Sequence, residues 1–182
     1  MKVESLGTGG VKILTPHIFS DHRGFFFEAW SEHDSKALGE NLRFVQDNHS
    51  ESNKGVLRGL HYQIKQTQGK LVRVARGSAF VAAVDMRRSS IQFGETFHAE
   101  LDDLQHQLLW VPAGFAHGFL ALHENTHLLY KCTDFYAPQY ERVLQWNDET
   151  LNINWPTHRV EALIISDKDT MGQAFCDAQT FE

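Results

Sequence analysis

Helical periodicity is scarce along this chain. What recurs instead is the short strand, broken every few residues by turn-forming side chains. Phe25 to Trp30 follows the turn Asp21-His22-Arg23-Gly24. Val56 to Ile64 reads as a strand. Leu71 to Ala75 and Ala79 to Met86 flank a turn at Arg76-Gly77-Ser78. Gln107 to Val111 ends at Pro112-Ala113-Gly114, and Gly118 to Leu122 and Thr126 to Thr133 flank His123-Glu124-Asn125. Many short strands at this spacing predict an all-β sandwich or barrel. The best helix runs from Ser31 to Leu38, with Ser31 as N-cap and Asp34 three residues on, a variant of the capping box. From Trp155-Pro156 onward the chain reads as an appendage packing on the barrel. With 182 residues and no internal repeat or linker, one domain over 1–182 is expected.

Strand alternation selects the side chains that enter such a barrel. In Leu57 to Gln63, His61 shares a face with Leu57, Gly59 and Gln63. In Lys70 to Arg76, Lys70 lies with Val72 and Val74. In Thr126 to Cys132, Tyr130 lies with Leu128 and Cys132. A lysine on an apolar face requires a reason, because a buried charge is costly unless paired or used. A histidine is the usual base near neutral pH, a lysine holds a developing oxyanion, and a phenol can return a proton. Together the three suit proton abstraction alpha to a carbonyl. Asp169 is a candidate to orient His61 and stabilise the imidazolium. Taken singly, each reads equally as a packed core group or a snorkelling chain.

Arg23, Arg58 and Lys168 form a second set. Guanidinium forks match phosphate oxygens, and Gly24 and Gly59 beside the two arginines allow close approach. The net charge of -6 and the lack of a basic stripe argue against nucleic acid as a partner. No basic segment followed by an apolar run opens the chain, and no stretch nears the length of a membrane span, so a cytoplasmic protein without membrane contact is expected. Cys132 and Cys176 do not make a disulfide framework.

Pro112-Ala113-Gly114-Phe115-Ala116-His117-Gly118 resembles the second motif of the cupins. The matching first motif, Gly59-Leu60-His61-Tyr62-Gln63, offers one histidine, no His-x-His pair and no nearby glutamate. That falls short of the three ligands of a catalytic metal site, so no metal and no other cofactor is expected. His61 and His117 then read as base and hydrogen-bond donor.

In order, several blocks resemble the dTDP-4-dehydrorhamnose 3,5-epimerases of the cupin superfamily. They are Asp21 to Glu28, Phe44 to Ser50, Val56 to Gln63, Gly69 to Val74, Val84 to Arg87, Pro112 to Phe119, Tyr130 to Thr133, Trp146 to Asp148 and Ser166 to Asp169. Ordered blocks over about residues 10 to 170 are far more specific than one motif. The resemblance implies a cupin-like antiparallel β-barrel, a jelly roll with short peripheral helices. It implies inversion of dTDP-4-dehydro-6-deoxy-D-glucose at C3 and C5 in dTDP-L-rhamnose biosynthesis. It assigns His61 as proton acceptor with Asp169 as its partner, Tyr130 as proton donor, and Lys70 beside the keto oxygen. Arg23 and Arg58 are implied for the pyrophosphate, and Tyr136 for stacking on thymine. Glu28, Gln46, Asn48, His117, Glu141 and Lys168 are implied for the rest of the nucleotide-sugar. A homodimer is implied as well, each partner completing the other's site.

One position departs from the pattern. The family usually carries an aspartate where this chain has Val81, which would leave Lys70 less neutralised. Three other readings remain open: a single-centre 3- or 5-epimerase, a metal-dependent cupin, and a silent nucleotide-sugar binder.

Overall fold

The computed structural model describes residues 1–39 and 42–182. Its strands are β1 (Lys2–Leu6), β2 (Val11–Thr15), β3 (Phe19–Asp21), β4 (Gly24–Phe26), β5 (Gln46–Ser52), β6 (Val56–Gln63) and β7 (Lys70–Arg76). They continue as β8 (Ser78–Asp85), β9 (Thr96–Asp102), β10 (Leu108–Val111), β11 (Phe115–Ala121), β12 (Thr126–Cys132), β13 (Glu141–Val143) and β14 (Ile164–Ile165). One sheet has the order β1-β2-β10-β7-β12-β5 and the other β13-β6-β11-β8-β9. These ladders are antiparallel, and β14 adds a parallel pairing to β6. From β5 to β8 the chain crosses between the sheets at every connection, and it does so again from β9 to β12. This jelly-roll winding is the expected all-β, cupin-like fold.

Three apolar layers follow from the alternation. Between the sheets lie Val72, Val74, Val81, Phe97, Leu109, Phe115, Phe119 and Leu128. The back of the β6–β11–β8 face is covered by the C-terminal segment, where Leu57, Leu60, Tyr62, Phe80 and Leu120 meet Leu144 and Trp155. This is the appendage expected from Trp155 onward. The back of the other sheet, Leu14, Leu71, Leu108 and Trp110, is capped by Trp30, Leu38 and Phe44. Burying a large side chain in such a layer contributes about 1.5–3 kcal/mol.

The helix lies where expected but is of 3-10 type, Glu32–Leu38, ending at Gly39. Its capping differs from the prediction. The Ser31 hydroxyl accepts from His33 N, while Asp34 N donates to the Ser31 carbonyl. The tighter winding moves the donor one residue earlier, so the reciprocal box does not form. Asp167–Thr170 forms a four-residue helix, α1, capped by Ser166.

The larger correction concerns β6. His117 pairs with His61, but Phe119 pairs with Arg58, so Gly59 and Leu60 together oppose Gly118. This bulge inserts one residue and reverses the alternation N-terminal to it. Leu57 therefore packs behind the sheet with Leu60 and Tyr62, rather than sharing a face with His61, and Arg58 faces the cavity instead. Gly59 sits at φ 118°, and a Cβ there would stand 2.6 Å from the Gly118 Cα. Only glycine tolerates both the conformation and the approach.

Candidate active site

Between the sheets is a cavity of about 340 Å³. β5 contributes Gln46, Asn48 and Ser50, β6 Arg58, His61 and Gln63, and β7 Lys70. β11 adds His117 and Phe119, and β12 adds Leu128 and Tyr130. Tyr136, Glu141 and Lys168 line it too. Eleven residues expected from sequence thus fall in one place or touch it, since Asp169 lies directly behind His61. His61 and His117 project from one sheet, Lys70 and Tyr130 from the other. An imidazole and a phenol therefore face each other across the cavity.

His61 Nε2 lies 2.6 Å from Asp169 Oδ1. Asp169 is 3% exposed, and its second oxygen accepts the Gly59 N–H at 3.2 Å. Burial pushes its carboxyl up, but the His61 hydrogen bond and charge, the Gly59 N–H and Lys168 outweigh this and hold it below the usual value. An ionised carboxylate fixes Nε2 as the donor, and Nδ1 is the nitrogen free to take a proton. The bulge gives this pair its geometry, because it turns both the Gly59 N–H and the His61 ring toward α1.

Lys70 lies directly opposite Cys132 in the β7–β12 ladder. Burial lowers the pKa of its ammonium group, opposed in part by Cys132 and Glu141. Burial also raises Tyr130, and the neighbouring Cys132, Glu141 and Tyr136 push the same way against Arg58. The phenol is thus kept protonated and able to act as an acid. His117 is held well below the ordinary imidazole value by burial and by the charges of Lys70 and His61. It is neutral near pH 7, and its buried Nε2 has no hydrogen-bond partner among the described residues. Val81, the position that departs from the family pattern, lies in the apolar layer between the sheets.

Arg58 is steadied by bonds to the Ser52 hydroxyl and the Glu51 carbonyl, both at 3.2 Å. At the rim, Glu141 Oε2 accepts from Lys168 at 2.9 Å and from the Tyr136 hydroxyl at 3.2 Å. Lys168 loses some basicity to burial, but its contact with Glu141 more than restores it.

Arg23 and Glu28 do not reach this cavity. Arg23 lies on the β3–β4 hairpin and pairs with Asp21 at 2.6 Å, and Glu28 is exposed. The hairpin forms its own two-stranded sheet, and Glu28 follows two residues after it. Conversely, Gln63, Gln68 and Ser50 line the cavity without having been singled out. Gln63 could have been found, since it shares the His61 face. Among the described residues, no three His, Cys, Asp or Glu side chains gather as a metal site requires.

These features find a counterpart among known proteins. The family model described as dTDP-4-dehydrorhamnose 3,5-epimerase matches residues 6–177. The dTDP-4-dehydrorhamnose 3,5-epimerase of Pseudomonas aeruginosa is 49% identical over 182 residues, 100% of this chain and 99% of that one. That of Shigella flexneri is 46% identical over 173 residues, 94% of each. The dTDP-6-deoxy-D-glucose-3,5-epimerase RmlC of Legionella pneumophila Philadelphia 1, solved in complex with dTDP-4-keto-L-rhamnose, is 41% identical. It superposes with a TM-score of 0.93 over 98% of this chain and 94% of that chain. Agreement in sequence along nearly the whole length, and in backbone as closely, places the chain in the dTDP-4-dehydrorhamnose 3,5-epimerase family.

Proposed function

We propose that this protein converts dTDP-4-dehydro-6-deoxy-D-glucose to dTDP-4-dehydro-L-rhamnose, a step of dTDP-L-rhamnose biosynthesis. The observation that carries the reading is the His61–Asp169 pair facing Tyr130 across the cavity that also holds Lys70. C3 and C5 flank the C4 ketone, so the proton on each is acidified. His61 Nδ1 removes one such proton, and the electron pair flows into an enolate. Lys70 donates to the enolate oxygen. Because burial has weakened the hold of this ammonium on its proton, the contact strengthens most as negative charge develops beside it. Tyr130 then protonates the carbon from the opposite face. The imidazolium and the phenolate return to their starting states by exchange with solvent, and a repeat at the second carbon completes the double inversion. The chemistry is a proton transfer in and out, with no net redox change.

Gln46, Asn48, Arg58, His117, Tyr136, Glu141 and Lys168 are the residues we assign to holding the nucleotide-sugar. Binding energy from the nucleotide, remote from the reacting carbons, positions the ring between base and acid. Proton NMR of the reaction in deuterium oxide tests the assignment. Deuterium is expected at both C3 and C5 of the product. Exchange at one carbon alone would replace it with a single-centre epimerase.

We further assign Arg23 and Glu28 to a second copy's cavity. Phe19, Phe25 and Phe26 on the same hairpin are 60%, 60% and 69% exposed, an apolar surface that a partner would cover. A homodimer in the cytoplasm is the implied state. No helix among the described residues is long and apolar enough to cross a membrane. Arg23→Ala is expected to raise KM roughly 10-fold with little change in kcat, as for loss of uniform phosphate binding. Subunit exchange between the Arg23→Ala and His61→Ala proteins is expected to restore wild-type KM to part of the sites, because one site of each hybrid has both residues. No recovery on mixing would place Arg23 in the service of its own chain.

A further inference from the structure

The segment Thr133–Ala137 links β12 to the short turn Pro138–Tyr140 and carries Tyr136 at the cavity rim. It belongs to no strand, yet four successive residues each give a backbone group to a glutamine side chain. Gln68 Nε2 donates to the Asp134 carbonyl at 2.9 Å, and Gln63 Nε2 donates to the Phe135 carbonyl at 3.2 Å. Tyr136 N donates to Gln46 Oε1 at 2.8 Å, and Ala137 N donates to Gln63 Oε1 at 2.8 Å. The glutamines come from both sheets and from the loop between them: Gln46 is on β5, Gln63 on β6, and Gln68 precedes β7.

Gln63 is the centre of this arrangement. It is 5% exposed, and its remaining donor goes to the Gln66 carbonyl at 2.7 Å. Both N–H groups and the oxygen of one buried amide are therefore used on backbone. No other side chain of this length offers two donors and an acceptor on one planar head. Gln46 in turn donates to Asn48 Oδ1 at 3.0 Å, and Asn48 donates to the buried Cys132 thiol at 3.6 Å. The clamp is thus anchored beneath the cavity, beside Lys70. The loop it holds leaves the Tyr136 ring 51% exposed, an aromatic face without an intramolecular stacking partner among the described residues.

We infer that Gln63, assisted by Gln46 and Gln68, is a positioning residue for the nucleobase. By fixing the backbone on either side of Tyr136, the clamp sets the ring before ligand arrives, and binding need not order the loop. This rests on the nucleotide-sugar reading given above. The clamp touches none of the reacting groups directly, so its loss acts on binding rather than on the chemical step.

The test uses thymidine diphosphate binding by calorimetry together with steady-state kinetics on the keto sugar. Gln63→Leu is expected to weaken thymidine diphosphate binding and raise KM by roughly 10-fold or more, with kcat within about threefold. Gln63→Glu separates positioning from bulk. Its carboxyl can still donate once when protonated but not when ionised, so the loss of affinity relative to wild type should grow as pH rises from 5 to 8. Combining Gln63→Leu with Tyr136→Ala should weaken binding no more than the larger single change, because both act through one ring. Should Gln63→Leu not fold, Gln68→Ala and Gln63→Glu carry the same test, with a smaller shift expected from Gln68→Ala. Unchanged affinity in these variants, strict additivity in the cycle, or a fall in kcat at constant KM would overturn the inference. Wild-type protein that fails to bind thymidine diphosphate would instead defeat the functional reading.

Discussion

His61→Ala is expected to lower kcat by roughly 10³-fold or more while thymidine diphosphate affinity stays within about threefold. Among the described residues, the imidazole is the one group in the cavity with a buried carboxylate behind it. Asp169 holds Nε2 at 2.6 Å and is itself held by the Gly59 N–H and kept ionised. The carboxylate fixes which ring nitrogen carries the proton and stands beside the charge that forms in the transition state. The neighbouring His117 does not substitute, because burial and the charges of Lys70 and His61 disfavour its protonation. Asp169→Asn should follow in the same direction by about 10²-fold or more, since the amide can present its N–H to Nε2 and favour the tautomer protonated on Nδ1. The base would then carry its proton on the nitrogen that must accept one. Because the His61 side chain is 26% exposed, its truncation leaves no large sealed void, and the folded state should survive. Full turnover by a folded His61→Ala protein would move the base elsewhere.

The parts of this site that could be read from sequence are those obeying strand alternation. Lys70 with Val72 and Val74, and Tyr130 with Leu128, need only a period of two. The residue types make Asp169 a candidate partner for His61, and the resemblance assigns it, but 108 residues separate the two and no local pattern joins them. Two features escaped the pattern for physical reasons. A bulge is invisible to periodicity, so alternation puts Leu57 on the His61 face although it packs behind the sheet. Strand β5 carries no strand signal because Gln46–Ser52 contains no apolar residue. Its alternation is polar on both faces, with Gln46, Asn48 and Ser50 turned to the cavity and Asp47, His49 and Glu51 outward. A cavity wall that binds a polar ligand carries little hydrophobic signal. Strands β1, β2, β3, β9, β13 and β14 likewise lie outside the segments that the pattern delimits.

Gln63 illustrates a third limit. Its face could be read, yet its role lies in hydrogen bonds to the backbone of residues 66, 135 and 137. Long-range contacts between a side chain and a loop leave no spacing to detect. The exposed hairpin is the converse case. Arg23 and Glu28 stand in a clear block, but one chain alone does not bring them to the cavity. The second copy proposed above would account for their distance from it, and the subunit exchange tests that proposal.

Tyr130→Phe is expected to lower kcat by roughly 100-fold or more with little change in KM. The substitution removes one oxygen and keeps the ring, which packs against the apolar layer between the sheets. Stability should therefore change little, and a lowered rate can be ascribed to the lost proton. The phenol is raised in pKa by burial first and then by Cys132, and it faces His61 from the opposite sheet. An acid with that placement delivers to the face opposite the base, and this is the geometric condition for inversion. Its removal should separate the two half-reactions. His61 can still take a proton and return one to the same face, so deuterium from solvent should enter the recovered substrate faster than product forms. Wild-type protein should show no such excess early in the reaction. A Tyr130→Phe protein that loses exchange and inversion in equal measure would instead make the phenol part of proton removal, and one that inverts at the wild-type rate would require another donor on that side of the ring.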